Sequence, residues 1–204
     1  MVMEIRVLQA LRLKGQATPE DIAAVAGIAE AAVQPMIAQL IANGYCEEAR
    51  GRLRLAKAGR AVLDELLARE CASVDQDAVK AAYHEFDGHN STFKQLMTDW
   101  QLKGGFTPND HTDVDYDAKV VERLGTLHTE FSPLLARVVT IAPRLAPYPA
   151  RFDGALAKLR AGEHAWVARP MVNSYHTVWF ELHQDLIGLA GLSRAAEAAA
   201  GRAE

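Results

Sequence analysis

The chain has 204 residues, 50% of them hydrophobic, and a formal net charge of -4. That length suits one large domain or two small ones, either able to bury a core without disulfide or metal staples. Cys46 and Cys71 form no C-x-x-C pattern, Glu4 and Arg6 interrupt the apolar N-terminus, and no segment approaches the roughly 18 apolar residues of a membrane span. These features predict a cytoplasmic protein without a disulfide framework, and the acidic balance weighs against a strongly basic nucleic-acid binder.

The two parts of the chain differ. Up to Glu70 nine basic and nine acidic residues cancel, and the remainder carries the whole net charge; of the 14 aromatic residues only Tyr45 precedes position 80. We expect three regions: a winged helix-turn-helix over 1–70, a helical bundle over 71–192 that binds a ligand and supports dimerisation, and a flexible tail over 193–204.

Val7, Leu8, Leu11 and Leu13 predict a first helix that Gly15 ends. Thr18, Pro19, Glu20 and Asp21 form a helix start, with Thr18 as N-cap, and Gly27 makes a turn. A third helix runs from about Ala29 to Ala42, burying Val33, Met36, Ile37, Leu40 and Ile41 and stopping at Asn43-Gly44. Tyr45 to Ala49 and Leu53 to Leu55 flank Arg50-Gly51-Arg52 as a two-stranded wing, and Lys57 to Arg60 opens a further helix. The order of parts, carried by Arg52-Leu53-Arg54-Leu55 through Ala58-Gly59-Arg60, resembles the MarR-like winged-helix regulators. The resemblance covers about a third of the chain and implies DNA binding by a dimer. The groove-facing helix offers Gln34, Gln39 and Asn43 to bases, and the wing offers Arg50, Arg52 and Arg54 to phosphates or the minor groove.

From Asp75 to Gln101 the apolar positions Val79, Tyr83, Phe86, Phe93, Met97 and Trp100, with Asn90 among them, predict one long helix. Lys103 to His111 reads as a loop. A second long helix begins near Asp113, is kinked by Pro133 and ends at Pro143; a third spans Tyr148 to Leu159, and a fourth starts at an N-cap Ser174 and reaches about Gly191. Four such helices suggest a bundle. This half also resembles a helical region of bacterial phosphoenolpyruvate-utilising, pyruvate phosphate dikinase-like proteins, through Asn90 to Gln101, Pro108 to His111 and Ser174 to His183. That resemblance implies an accessory or substrate-binding subunit of a larger ATP-binding phosphotransferase.

On the fourth helix His176, Trp179, Phe180, His183 and Ile187 share one face. Two imidazoles beside two aromatics suit a small aromatic or anionic ligand as well as a hydrogen-bonded core. We place a pocket between the first and fourth bundle helices, with Asn90, Lys94, Trp100, Tyr175, His176, Trp179 and His183 as its residues. Arg144, Arg151 and Arg169 are further anion-binding candidates. All seven histidines follow the wing. No Glu-x-x-His pair suggests a di-iron bundle, and Asp110-His111-x-Asp113 and His176 with Glu181 and His183 have no specific zinc spacing. No phosphate-binding glycine loop or nucleophile elbow is present, so no catalytic residue, metal or cofactor is assigned.

Overall fold

The computed structural model describes residues 2–169, 172–199 and 201. The protein is mainly α, a winged helix-turn-helix with a small β-hairpin wing followed by a helical-bundle domain. It divides into two compact units, Met1–Val74 with Ala142–Pro147, and Asp75–Ile141 with Tyr148–Glu204. The boundary thus lies a few residues beyond Glu70, and a short segment later in the chain belongs to the first unit. No single helix among the described residues is long and apolar enough to cross a membrane.

In the first unit α1 (Val2–Lys14), α2 (Pro19–Ala26) and α3 (Glu30–Ala42) precede a hairpin of β1 (Cys46–Ala49) and β2 (Arg52–Leu55), and α4 (Lys57–Ser73) closes it. Thr18 caps α2 through a reciprocal box: its Oγ1 accepts from the Asp21 N–H at 3.2 Å while Asp21 Oδ2 accepts from the Thr18 N–H at 3.2 Å. Gly27, at φ 62°, then turns the chain so that α2 and α3 meet at 111°, the geometry of a helix-turn-helix. Ala17 pairs with Leu53 through two backbone hydrogen bonds, an isolated antiparallel bridge that ties the start of the helix-turn-helix to the wing. The wing turn places Arg50 and Gly51 at φ 55° and 73°, the left-handed pair that a two-residue hairpin turn requires.

Val7, Leu8, Ile22, Val33, Ile37, Leu53 and Leu63 form the core of this unit. Ile41, expected in that core, is exposed. The segment Ala142–Pro147 packs here as well. Arg6 donates from Nε to the Arg144 carbonyl at 3.0 Å and from Nη2 to the Pro143 carbonyl at 2.8 Å, and Arg144 Nε donates to Glu70 at 2.7 Å.

The second unit contains α5 (Gln76–Gln101), α6 (Val114–Ile141), α7 (Tyr148–Arg160), α8 (Tyr175–Leu189) and the short α9 (Arg194–Ala199). Asp75 caps α5 by accepting from the Asp77 and Ala78 N–H groups, and the Ser174 hydroxyl caps α8 by accepting from the Thr177 N–H. α5 packs along α6, α7 against α6 and α8, and α8 against α5. An aromatic cluster fills the centre: Phe93 stacks on Trp179 at 4.4 Å and 16°, and Phe131 lies 4.8 Å from Trp179. α6 continues as helix through Pro133.

Two sequence expectations are corrected in this unit. The segment read as a loop after Gln101 contains a tight hairpin, β3 (Leu102–Lys103) with β4 (Thr107–Pro108), turned by Gly104 and Gly105 at positive φ. Pro108 fits because a two-stranded edge leaves its missing N–H without a required partner. The tail was expected to be flexible, yet α9 forms within it because the Glu197 carboxylate is buried and accepts from the Tyr83 hydroxyl at 2.7 Å. Ala200 and residues 202–204 of that tail lie outside the described residues.

Gly59 shows how closely the wing and α4 approach: a Cβ there would lie 2.0 Å from the Tyr45 carbonyl oxygen. That atom belongs to the backbone hydrogen-bonded to Ala56, so it cannot swing aside as a side chain would. Gly59→Ala should lower stability by about 1–3 kcal/mol despite the better helix propensity of alanine, read as a lower urea midpoint with an unchanged slope.

Candidate functional site

Asn90 is buried on α5 within an aromatic stripe, where an amide needs partners. Its Oδ1 accepts the Trp179 indole N–H at 3.0 Å. The bond joins α5 to α8 at mid-length and places the residues on either side of it. One turn further along α5, Lys94 reaches towards the surface, where its Nζ donates to the Gly201 carbonyl at 3.2 Å. On α8, His176 stacks on Phe93 at 5.9 Å, and His183 packs 5.0 Å from Phe86.

These side chains meet in a cleft of about 50 Å³ lined by Asn90, Phe93, Lys94, Met97, His176, Trp179, Phe180, His183 and Arg194. Five of the residues named from the sequence, Asn90, Lys94, His176, Trp179 and His183, therefore line one concave site. Arg194 was not named. Its guanidinium lies 4.4 Å from the centre of the Phe180 ring, and it enters the cleft because α9 is docked. The only sequence signal was an arginine in a segment poor in apolar residues, which reads as solvated.

Trp100 and Tyr175 do not belong to this cleft. Tyr175 is fully buried among Phe93, Phe152 and Trp179, and its hydroxyl lies 3.2 Å from His128 Nδ1. Burial, reinforced by the charge of Asp153, pushes its phenol well above the usual tyrosine range. Two of the arginines are also reassigned. Arg144 is committed to Glu70, and Arg151 forms a buried pair with Glu181 and donates to Asn173 at 3.0 Å, so neither faces an outside anion. Arg169 is exposed.

Trp100 lies instead in a second polar constellation at the other end of α5. Asp117, 0% exposed, accepts from Asn109 Nδ2 at 2.8 Å on one oxygen and pairs with His111 Nδ1 at 2.9 Å on the other. His164 Nδ1 stands 3.9 Å from that second oxygen. Both imidazoles lie against the Trp100 ring, at 4.5 and 5.7 Å. His111 adopts φ 59°, a left-handed conformation that a side chain other than glycine rarely takes. Sequence reasoning considered His111 only as a zinc candidate with Asp110 and Asp113, whereas its carboxylate partner is Asp117. Among the described residues no group of three or more His, Cys, Asp or Glu side chains is placed to hold a metal ion, and Glu181 turns away from His176 and His183 towards Arg151.

The interior end of the cleft is a directional relay. A carboxylate only accepts, so the Tyr83 proton goes to Glu197 at 2.7 Å, and His183 Nε2, 3.3 Å from the Tyr83 oxygen, must be the donor in that contact. Burial, reinforced by Arg194 and Lys94 against the opposing effect of Glu197, lowers the His183 imidazole from 6.5 to about 4. His183 is therefore neutral at pH 7, with its proton on Nε2.

Because the unfolded chain binds this proton more readily than the folded one, the contribution of His183 to stability is complete above pH 6.5 and is lost as the pH falls towards 4. Burial lowers His128 in the same direction. Urea unfolding should show up to about 3 kcal/mol less stability at pH 4 than at pH 7 from His183, and His183→Gln should remove that part of the slope. Comparison with family models, curated proteins and solved structures gives no match for this chain.

Proposed function

We propose that the chain is a MarR-like transcriptional regulator that works as a cytoplasmic dimer, in which the helical domain binds a small aromatic or anionic molecule and the winged helix binds DNA. The observation that carries the reading is the cleft itself. Asn90, Lys94, His176, Trp179 and His183 converge from two helices on one concave wall, in a chain whose other unit has the α2–α3 angle and wing of a DNA-binding module. A few polar groups set in an aromatic wall are the usual composition of a small-molecule site.

The DNA contacts divide by exposure. Gln34, Gln39 and Asn43 lie on the outer side of α3 and its end, with Gln39 donating to Asn43 at 2.9 Å. Arg50 is exposed at the wing tip and Arg52 is half-buried on β2, but Arg54 donates twice to Glu47 across the hairpin. Arg54 therefore contributes least to phosphate attraction. A specific feature favours a second reading, a non-DNA-binding accessory subunit of a phosphoenolpyruvate-utilising phosphotransferase with a larger ATP-binding chain: the outer face of α3 presents Ala31, Ala38, Ile41 and Ala42 and no cation.

Binding of the purified protein to the DNA upstream of its own coding sequence tests the choice. Under the regulator reading a sequence-specific shift is seen, and changing Arg50, Arg52 and Arg54 together to Ala weakens it and flattens the salt dependence by roughly one unit of log–log slope per lost phosphate contact. Weak, sequence-independent binding together with copurification of a larger ATP-binding chain supports the subunit reading instead.

A further inference from the structure

We propose that the cleft takes a compact oxyanion, a short carboxylate or inorganic phosphate, between the Lys94 ammonium and the Arg194 guanidinium, and that the Tyr83–Glu197 hydrogen bond holds α9 so that Arg194 stays at the mouth. The proposal rests on the reading of this cleft as the ligand site and narrows its ligand class.

Charge is the first argument. The nine described residues that line the cleft include two cations and no carboxylate. Neither Lys94 nor Arg194 forms an ion pair among the described residues: Lys94 donates to a backbone carbonyl, and Arg194 lies over the Phe180 ring. Lys94 is on α5 and Arg194 on α9, a hundred residues apart, and the fold brings both to one concave wall. Two cations that form no ion pair among the described residues, set in a concave wall, attract an anion more strongly than they would on a flat surface. His183, neutral at pH 7 with its Nε2 proton committed to Tyr83, adds neither a charge nor a donor, so the attraction rests on the two cations.

Size is the second. The cleft has about 50 Å³ of space. A single water needs roughly 10–15 Å³ on this measure, and a cavity that takes benzene is about 150 Å³. An acetate or phosphate can replace the few waters that fit, whereas an aromatic ring requires the wall to open.

The third argument concerns α9. Glu197 is three residues after Arg194, so the two share a side of the helix. Glu197 is 2% exposed and bound to Tyr83, and this buried bond fastens a helix too short to be stable alone. Fastening and electrostatics then make opposite predictions for one substitution. Glu197→Gln removes a negative charge near the site, which by Coulomb attraction alone tightens anion binding; if the carboxylate holds Arg194 in place, the same change weakens it.

The experiment is titration of the full-length protein at pH 7 with sodium phosphate, sodium acetate and, as control, sodium chloride at constant ionic strength, following the Trp179 indole N–H by NMR. We expect saturable binding of phosphate or acetate but not chloride, and whichever saturates identifies the anion. Lys94→Met and Arg194→Met should each weaken it about tenfold or more, with unchanged melting temperatures because both side chains are partly exposed. Glu197→Gln should weaken it too; tighter binding by that variant would overturn the role given to α9. If indole perturbs Trp179 saturably while neither oxyanion does, the oxyanion assignment fails and the cleft remains a ligand site. If indole and both oxyanions all leave Trp179 unperturbed, the ligand-site reading fails with it.

Discussion

The hydrogen bond from the Trp179 indole to Asn90 is the constraint on which the second unit's arrangement depends. A buried indole N–H without an acceptor costs about 1–3 kcal/mol, and around Trp179 the aromatic rings of Phe86, Phe93, Phe131 and Phe152 have no acceptor to offer. Asn90 is the acceptor, and its position fixes how far α8 can slide along α5. With that register set, Phe93 stacks on Trp179 and His176 stacks on Phe93. Lys94 and His183 then reach the same cleft from opposite helices. The polar interruption of the stripe thus specifies the packing that creates the site.

Helical periodicity made this much legible. His176 and His183 are seven residues apart, which returns to nearly the same side of a helix, and Asn90 and Lys94 are one turn apart. The same arithmetic explains the two residues that fell outside. Trp100 follows Asn90 by ten positions, which places it about 15 Å further along the axis and roughly 80° around it. Tyr175 sits about 80° from His183 on α8, enough to point it at His128 of α6. The stripe is longer and wider than a single cleft.

Arg144, Arg151, Asp117 and Glu197 were not legible for a different reason. Each is buried by a partner distant in sequence or by a loop conformation: Glu70 for Arg144, Glu181 for Arg151 and Tyr83 for Glu197. Buried charges require such partners, but sequence does not say which charge will be buried. Asp117 lies at the start of α6, where an acid ordinarily remains in water. It is enclosed because the Asn109–His111 turn folds over it, with the Asn109 side chain also accepting from the His111 N–H at 3.1 Å. By contrast, the first unit was legible almost throughout, since its caps, glycine turns and hairpin are local features, and its main surprises, exposed Ile41 and the Ala142–Pro147 segment, are tertiary.

The relay at the inner end of the cleft also determines what acidification does there. Protonating His183 adds a proton to Nδ1, because Nε2 already carries the one donated to Tyr83. The His183–Tyr83 and Tyr83–Glu197 hydrogen bonds therefore survive, and the energetic penalty comes from placing a cation in a desolvated position beside Arg194 and Lys94. An anion bound between those two cations would offset their repulsion of protonated His183. Occupancy and protonation then favour each other, and linkage requires the reciprocal effect, tighter anion binding as the pH falls towards the His183 transition. A histidine that served only to fill the aromatic core would carry the desolvation penalty without this dependence on the occupant of the cleft.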